Sequence, residues 1–203
     1  MNGSVGWSDV GVLLPYRFWK IYNDDCLIQK YYNGMVKYAK FMISRCGKWT
    51  PLKHNIQLSG KNKKYFVNFG QSYGEWAEPK DVFPNDWKNT VLPNPEESTA
   101  YTSYIMSLMC EIAKYMNDSK NLPLFEEYKN CCAEAYRELI TKNGYSIDTD
   151  RQAKLVRPLY MHLLNKQSAY CTGWKKPGDS SCNLYSETRG KACSSYNKGS
   201  IKW

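Results

Sequence analysis

Two short motifs each place a tryptophan close to an acidic residue, Gly-Trp-Ser-Asp at residues 6–9 and Tyr-Gly-Glu-Trp at residues 73–76. An indole ring can cover the apolar C–H face of a sugar, while a carboxylate accepts hydrogen bonds from sugar hydroxyls. The two motifs therefore favour carbohydrate binding. The candidate substrate-binding residues are Trp7, Asp9, Glu75 and Trp76.

Each candidate also has a simpler interpretation. Asp9 lies where a helix is about to begin, and aspartate is among the best residues for capping a helix N-terminus. Trp7 and Trp76 could pack in a core, as large aromatic residues commonly do. Glu75 could be a catalytic acid or base by residue type alone. The residue types leave these alternatives open.

Composition limits the other classes of function. The chain has 203 residues, which suits one domain, and its charge of +9 (28 Lys and Arg against 19 Asp and Glu) is spread along the sequence. A dispersed excess indicates a solvated surface, so no nucleic-acid partner is expected. No apolar run is long enough to span a membrane, and no signal peptide precedes the first motif, which leaves the compartment unknown. His54 and His162 are far apart and no Cys-x-x-C occurs, so neither a metal site nor a cofactor is expected.

Apolar residues at helical spacing predict five helices. Asp9 begins the first, whose apolar residues include Val10, Leu14 and Ile21, and Pro15 should kink it or confine it to its first turn. A short turn after the first helix predicts a helical hairpin with the second. The fifth helix carries Val156, Leu159, Tyr160 and Leu163 as its apolar positions. The predicted helices span residues 9–22, 25–45, 94–117, 123–142 and 151–165.

Two segments depart from the helical pattern. Residues 47–95 form a long, proline-containing stretch that allows a short strand at 65–69, and loops of this length are often functional. It ends at Asn94-Pro95-Glu96-Glu97, a strong helix start. Residues 168–203 contain only Leu184 and Ile201 among Leu, Ile, Val and Met, so they are predicted to be a disordered or poorly packed tail.

The motifs resemble those of bacterial α-L-rhamnosidases, the family 78 glycoside hydrolases. The resemblance starts at Gly6-Trp7-Ser8-Asp9-Val10-Gly11 and continues in Gly74-Glu75-Trp76, where the family usually has Asp in place of Glu75. It extends through the predicted helices to about residue 167. It implies an all-α fold, a partial barrel of helical hairpins over residues 1–167, with residues 168–203 outside it.

The same resemblance implies inverting hydrolysis of a terminal rhamnose, with a rhamnose-containing glycoside or polysaccharide as the partner. In the family the general acid precedes the first motif and the general base follows the second, in Arg-Asp-Glu-Arg and Trp-Glu segments that this sequence lacks. The resemblance thus implies a central fragment that is inactive alone, with Trp7 and Trp76 lining the sugar pocket. Asp9 and Glu75 would orient hydroxyls or brace loops.

Two other functions remain possible at this level. Helical hairpins also build non-catalytic scaffolds that bind proteins, although these hairpins have no fixed repeat period. A six-hairpin glycosidase acting on another sugar is the second alternative, because a fold does not fix its substrate. Convergence of Trp7 and Trp76 on one concave face would favour the sugar-binding functions over the scaffold.

Overall fold

The computed structural model describes residues 3–48, 56, 58–70, 94–142 and 152–164. Within these ranges the regular elements are helices, which confirms the predicted all-α class. None of the described helices is both long and apolar enough to cross a bilayer. The helices are α1 (Val10–Tyr22), α2 (Cys26–Arg45), α3 (Gly60–Lys63), α4 (Pro95–Tyr115), α5 (Leu122–Lys142) and α6 (Gln152–Tyr160).

The long helices form two hairpins. In the first, the start of α1 meets the end of α2, where the Tyr38 hydroxyl donates to the Asp9 carboxylate over 2.6 Å. In the second, α4 and α5 run antiparallel, and Lys114 near the end of α4 pairs with Glu126 near the start of α5 at 3.0 Å. This arrangement confirms the hairpin predicted from the short turn at residues 23–25.

Helix α4 lies at the centre of the core. Most of its residues are buried, from Pro95 to Ala113, and it packs against α1, α2 and α5. Its start is as predicted, because the Asn94 side chain accepts from the Glu97 amide and Pro95 occupies the first turn. The start of α4 therefore lies deep in the molecule, in the same layer as the first residues of α1.

The segment after α2 builds a second, smaller core against α5. Ile56, Leu58 and Phe66 pack there with Cys132 and Leu139. The segment contains the short helix α3 and an isolated β-bridge at Asn68, while no longer strand forms in its described part. Residues 71–93 lie outside the described residues, and so do 143–151 and 165–203.

Helix α1 differs from expectation in two respects. Pro15 neither ends it nor confines it to its first turn, because the helix continues to Tyr22 with Pro15 buried inside it. Its buried face carries Val12 and Pro15, whereas Val10, Leu14 and Ile21 are exposed. The helix is turned so that the Val12 side faces α2 and α4, which fill the core on that side.

Helix α6 is shorter than predicted, and its apolar face is turned outward. It ends at Tyr160, after which His162 adopts a left-handed backbone conformation with φ of 54°. Of the predicted apolar positions, Val156, Leu159 and Tyr160 are exposed, whereas Leu163, which follows the end of the helix, is buried. Arg157 is also buried. The orientation follows from the ion pair of Arg157 with Glu96 at the start of α4.

Candidate carbohydrate-binding site

The first tryptophan motif lies at one end of the helical hairpins. Because the hairpins are antiparallel, the starts of α1 and α4 lie at the same end as the C-terminal turns of α2 and α5. Residues 3–9 form a turn at this end, in which the Ser8 amide donates to the Ser4 carbonyl over 2.9 Å. Trp7, within this turn, is 56% exposed. Its indole is therefore accessible to a ligand.

The buried Asp9 side chain stabilises this turn. Its carboxylate is 0% exposed and accepts from the Gly6 amide at 2.7 Å and from the Tyr38 hydroxyl at 2.6 Å. The side chain makes no capping hydrogen bond to α1, so the capping alternative is wrong. Burial raises the pKa of Asp9, although both hydrogen bonds and the nearby Arg45 act in the opposite direction. The acid braces the backbone on either side of Trp7.

Arg45 joins this turn to the segment that follows α2. Arg45 is only 3% exposed. Its guanidinium donates to the Gly3 carbonyl and, over 2.7 Å, to the Phe69 carbonyl. Burial lowers the pKa of Arg45, while the charges of Tyr38 and Asp9 act to raise it. Phe69 precedes the second tryptophan motif by only a few residues. Arg45 thus ties the chain entering the second motif to the turn that carries the first.

Glycine is required beside this arginine. Gly70 has φ of 85°, and a Cβ atom placed on it would lie 2.5 Å from the Arg45 Nη2 atom. Only glycine adopts this backbone conformation readily, and only the absence of a side chain leaves room for the guanidinium. The close approach of Arg45 therefore requires glycine at position 70.

A second buried network lies at the start of α4. Glu96 pairs with Arg157 and accepts a hydrogen bond of 2.9 Å from the Tyr136 hydroxyl. Burial lowers the pKa of Arg157 to about 10, which still leaves the guanidinium charged at neutral pH. The same burial raises the pKa of Tyr136. This network attaches α6 to the core of the two hairpins.

An open cleft of about 440 Å³ lies between α1, α4 and α6. Its polar lining consists of three tyrosines and two arginines, and apolar side chains such as Leu13 lie between them. Tyr101 connects the cleft to the tryptophan turn, because a Cβ atom on Gly6 would lie 3.5 Å from the Tyr101 hydroxyl. A volume of this size suits a small ligand. The polar residues are Arg17, Tyr101, Tyr104, Arg157 and Tyr160.

Comparison with protein families gives one assignment. Residues 1–176 match the bacterial alpha-L-rhamnosidase 6-hairpin glycosidase domain. The chain belongs to this family. Comparison with curated proteins and with solved structures finds no match. The family is one of glycoside hydrolases, which makes a carbohydrate the substrate class.

The described residues of the six-hairpin glycosidase domain contain only part of the predicted site. Trp7 and Asp9 lie together in one turn, and their roles toward a sugar stay a prediction. Glu75 and Trp76 lie outside the described residues, so their distance from Trp7 stays open. The predicted domain boundary at residue 167 also falls outside the described residues and stays a prediction.

Several residues of the glycosidase domain were missed as site residues from the sequence. Arg45 and Arg157 gave no signal, because each follows an apolar helical pattern in which a basic residue suggests the solvent side. Glu96 was read only as an acid at a helix start, yet it is buried. Tyr101 lies in the range to which the resemblance extends but was assigned no role. A buried charged residue can be recognised only when the position of its partner is known.

The described residues of the glycosidase domain contain one group of possible metal ligands, at the exposed turn between α1 and α2. Asp24 there accepts from the Cys26 amide at 2.9 Å, and Asp25 accepts from Gln29 and Tyr115. These hydrogen bonds explain the grouping of the two acids as part of the start of α2.

Proposed function

We propose that this chain forms part of the sugar-binding wall of an inverting glycoside hydrolase that removes terminal α-L-rhamnose. The observation that carries the proposal is the turn at residues 3–9, in which an exposed tryptophan is held by a buried acid. Trp7 is 56% exposed, while both carboxylate oxygens of Asp9 are engaged below it. A rigid aromatic surface of this kind suits a sugar, because little conformational entropy is lost on binding.

Rhamnose matches an aromatic wall well. The sugar carries a methyl group in place of a hydroxymethyl group, which enlarges its apolar surface, and indole rings bind such surfaces through dispersion and burial. Trp7 would cover one face of the ring. Trp76 would add a second wall, and Glu75 would accept from ring hydroxyls. Asp9 would act through the backbone, by holding the Gly6 amide and so the position of Trp7.

Inversion requires two carboxyl groups roughly 6.5 to 9.5 Å apart, one protonating the leaving oxygen and the other activating water on the opposite face of the ring. The resemblance implies that these acids belong to segments whose motifs are absent from the 203 residues. The chain would then contribute substrate positioning. Positioning contributes to catalysis by holding the reacting bond near its attack geometry.

The test is sugar binding measured by isothermal titration calorimetry on the chain of 203 residues. Methyl α-L-rhamnoside should bind, and Trp7→Ala should weaken binding by about tenfold, the equivalent of about 1.4 kcal/mol. Tyr22→Ala is the matched control, because Tyr22 is 69% exposed at the opposite end of α1. That variant should bind as the unmodified chain does.

Methyl α-L-mannoside, which differs from the rhamnoside only by a hydroxyl on the methyl carbon, tests the choice of sugar. Weaker binding of the mannoside supports rhamnose, whereas equal or tighter binding would favour a six-hairpin glycosidase of other specificity. If neither sugar binds, or if Trp7→Ala and Tyr22→Ala behave alike, the sugar-wall proposal fails and the helical-hairpin scaffold becomes the better hypothesis.

A further inference from the structure

Three cysteines lie together where the end of α2 meets α5. Cys132 is 0% exposed in the second, smaller core, and Cys46 and Cys131 are half-buried and pack against that core. All three thiols are free. They belong neither to the tryptophan turn nor to the network around Glu96. The group is therefore a set of potentially reactive side chains that the proposed function leaves unused.

Cys46 occupies a well-defined position directly after α2. Its amide donates to the Ile43 carbonyl over 3.0 Å, and its thiol donates to the Met42 carbonyl over 3.8 Å. The amide of the next residue, Gly47, donates to the Phe66 carbonyl over 2.9 Å, at the edge of the second core. The backbone that carries the Cys46 thiol is therefore held by hydrogen bonds on both sides.

On α5, Cys132 is the cysteine that faces Cys46. Cys46 interacts electrostatically with both Tyr128 and Cys132, which are four residues apart and so share one face of the helix. A hydrogen bond also joins the thiols of Cys46 and Cys132. Cys131 is hydrogen-bonded to Tyr65 instead. The end of α2 therefore packs on the face of α5 that carries Tyr128 and Cys132.

From this pairing we infer that Cys46 and Cys132 form a disulfide when the chain meets a low-molecular-weight disulfide such as oxidised glutathione. The bond joins the end of the first hairpin to the second. Cys131 and Cys132 are not the reacting pair, because adjacent side chains on a helix point about 100° apart. A metal site is a weaker interpretation, since among the described residues the three thiols do not converge as metal ligands.

The exchange needs no further reactant. The Cys46 thiolate attacks one sulfur of the glutathione disulfide and displaces a glutathione thiolate, which leaves a mixed disulfide at Cys46. The Cys132 thiolate then attacks the Cys46 sulfur, and the second glutathione thiolate leaves. The two protons lost by the cysteines are taken up, through water, by the two glutathione thiolates. Two protein thiols are oxidised and one glutathione disulfide is reduced.

The order of attack follows from accessibility. Cys46 is half-buried and can meet a dissolved disulfide, whereas Cys132 is fully buried. Burial also raises the pKa of the Cys132 thiol, which keeps it protonated and unreactive toward reagents in solution. Cys132 therefore acts second, once a disulfide has formed on the neighbouring sulfur.

The disulfide would also act on the support of the tryptophan turn. Cys46 directly follows Arg45, whose guanidinium donates to the carbonyls of Gly3 and Phe69. A bond from Cys46 to α5 closes a long loop that includes α4, and so restricts the unfolded chain. The oxidised chain should therefore be more stable, with the end of α2 beside the turn held against α5.

Peptide mapping of the full chain tests the bond. The chain is incubated with oxidised glutathione, the remaining thiols are alkylated, and trypsin then releases residues 46–48 and 130–137. These two peptides should be recovered linked, with two hydrogen atoms fewer than the separate peptides. Cys131→Ser is the matched control and should leave the link intact. Cys46→Ser should abolish it.

Urea unfolding measures the consequence. The midpoint of the oxidised chain should lie about 1–2 M above that of the reduced chain. Cys131→Ser should keep this difference, and Cys46→Ser should remove it. Far-UV circular dichroism of the reduced variants checks that each is folded. If Cys46→Ser does not fold, tandem mass spectrometry of the linked peptides from the unmodified chain still decides between positions 131 and 132.

Three results would overturn the inference. The first is the absence of a link between the two peptides, or a link from Cys46 to any other cysteine. The second is a link that is lost in Cys131→Ser, which would place the bond on Cys131. The third is an equal urea midpoint for the oxidised and reduced chains. None of these measurements depends on sugar binding at Trp7, so the disulfide and the proposed function succeed or fail separately.

Discussion

Glu96 at the start of α4 and Arg157 in α6 form an ion pair whose side chains are 3% and 4% exposed. The pair joins an element that is central to the core to one that lies at its edge. Tyr136 on α5 also donates a hydrogen bond of 2.9 Å to the carboxylate. Helices α4, α5 and α6 therefore contact one another at this buried ion pair.

Removing one member of this pair should be costly. Arg157→Met removes the guanidinium that pairs with a buried carboxylate and should lower the free energy of unfolding by about 3–5 kcal/mol. Glu96→Gln should have a similar effect while keeping an oxygen for Tyr136. The double variant should lose less than the sum, which urea unfolding followed by circular dichroism measures as a coupling energy. The exposed pair of Lys114 and Glu126 is the control, where Glu126→Gln should cause no measurable change. Additive effects at Glu96 and Arg157 would contradict the ion pair.

The buried Asp9 carboxyl should make stability depend on pH. Burial raises its pKa above the ordinary value of 3.8, so the folded state holds the proton more tightly than the unfolded state does. Its contribution is present below pH 3.8 and is lost as the pH rises through the raised folded-state pKa. The difference in unfolding free energy between the unmodified chain and Asp9→Asn should therefore fall over that window and then level off. Direct NMR titration of the carboxyl is the independent measurement, and a midpoint below 3.8 would contradict the prediction.

Tyr38→Phe probes the same acid without removing it. The variant leaves one buried carboxylate oxygen without its donor, which should lower the free energy of unfolding by about 1–3 kcal/mol. It should also raise the pKa of Asp9 further, because the hydrogen bond from Tyr38 acts to lower it. Tyr31→Phe is the control, since Tyr31 is 50% exposed on the same helix. Equal effects of the two substitutions would show that the hydroxyl of Tyr38 does not support Asp9.

Two glycine substitutions should have opposite signs. Gly70→Ala places a Cβ atom 2.5 Å from the Arg45 Nη2 atom at φ of 85°, and should destabilise the chain by about 1–3 kcal/mol. Gly34→Ala lies inside α2 with no atom within 4 Å of the added carbon, and should stabilise it by about 0.5–1 kcal/mol. Urea unfolding measures both. A neutral Gly70→Ala would mean that Arg45 does not need the position that it has beside Gly70.

Hydrolysis is expected to require acids from outside these residues. The chain of 203 residues should not hydrolyse an aryl α-L-rhamnoside, and Glu75→Gln should leave that result unchanged. Release of the aryl alcohol, followed by absorbance, is the measurement. Turnover that Glu75→Gln abolishes would show that a catalytic acid lies within the second tryptophan motif, contrary to the proposal.

Local signals in the sequence were sufficient for the helices of the two hairpins. The apolar spacing of α2 and the Asn-Pro-Glu-Glu start of α4 act through neighbouring residues, and both helices begin within a residue of the predicted position. The two tryptophan motifs, in their order and spacing, likewise indicated the family, because the residues of each motif are contiguous. The spacing of apolar residues did not predict which faces of α1 and α6 are buried.

The sequence by itself determined the all-α class, the hairpins and the position of the tryptophan turn, since these depend on short-range spacing and capping. Only the tertiary structure decided which charges are buried. Arg45, Glu96 and Arg157 meet partners that are many residues away, and a charge can be removed from water only where such partners complete its coordination. The pairing of Arg157 with Glu96 likewise accompanies an orientation of α6 in which Val156, Leu159 and Tyr160 are exposed.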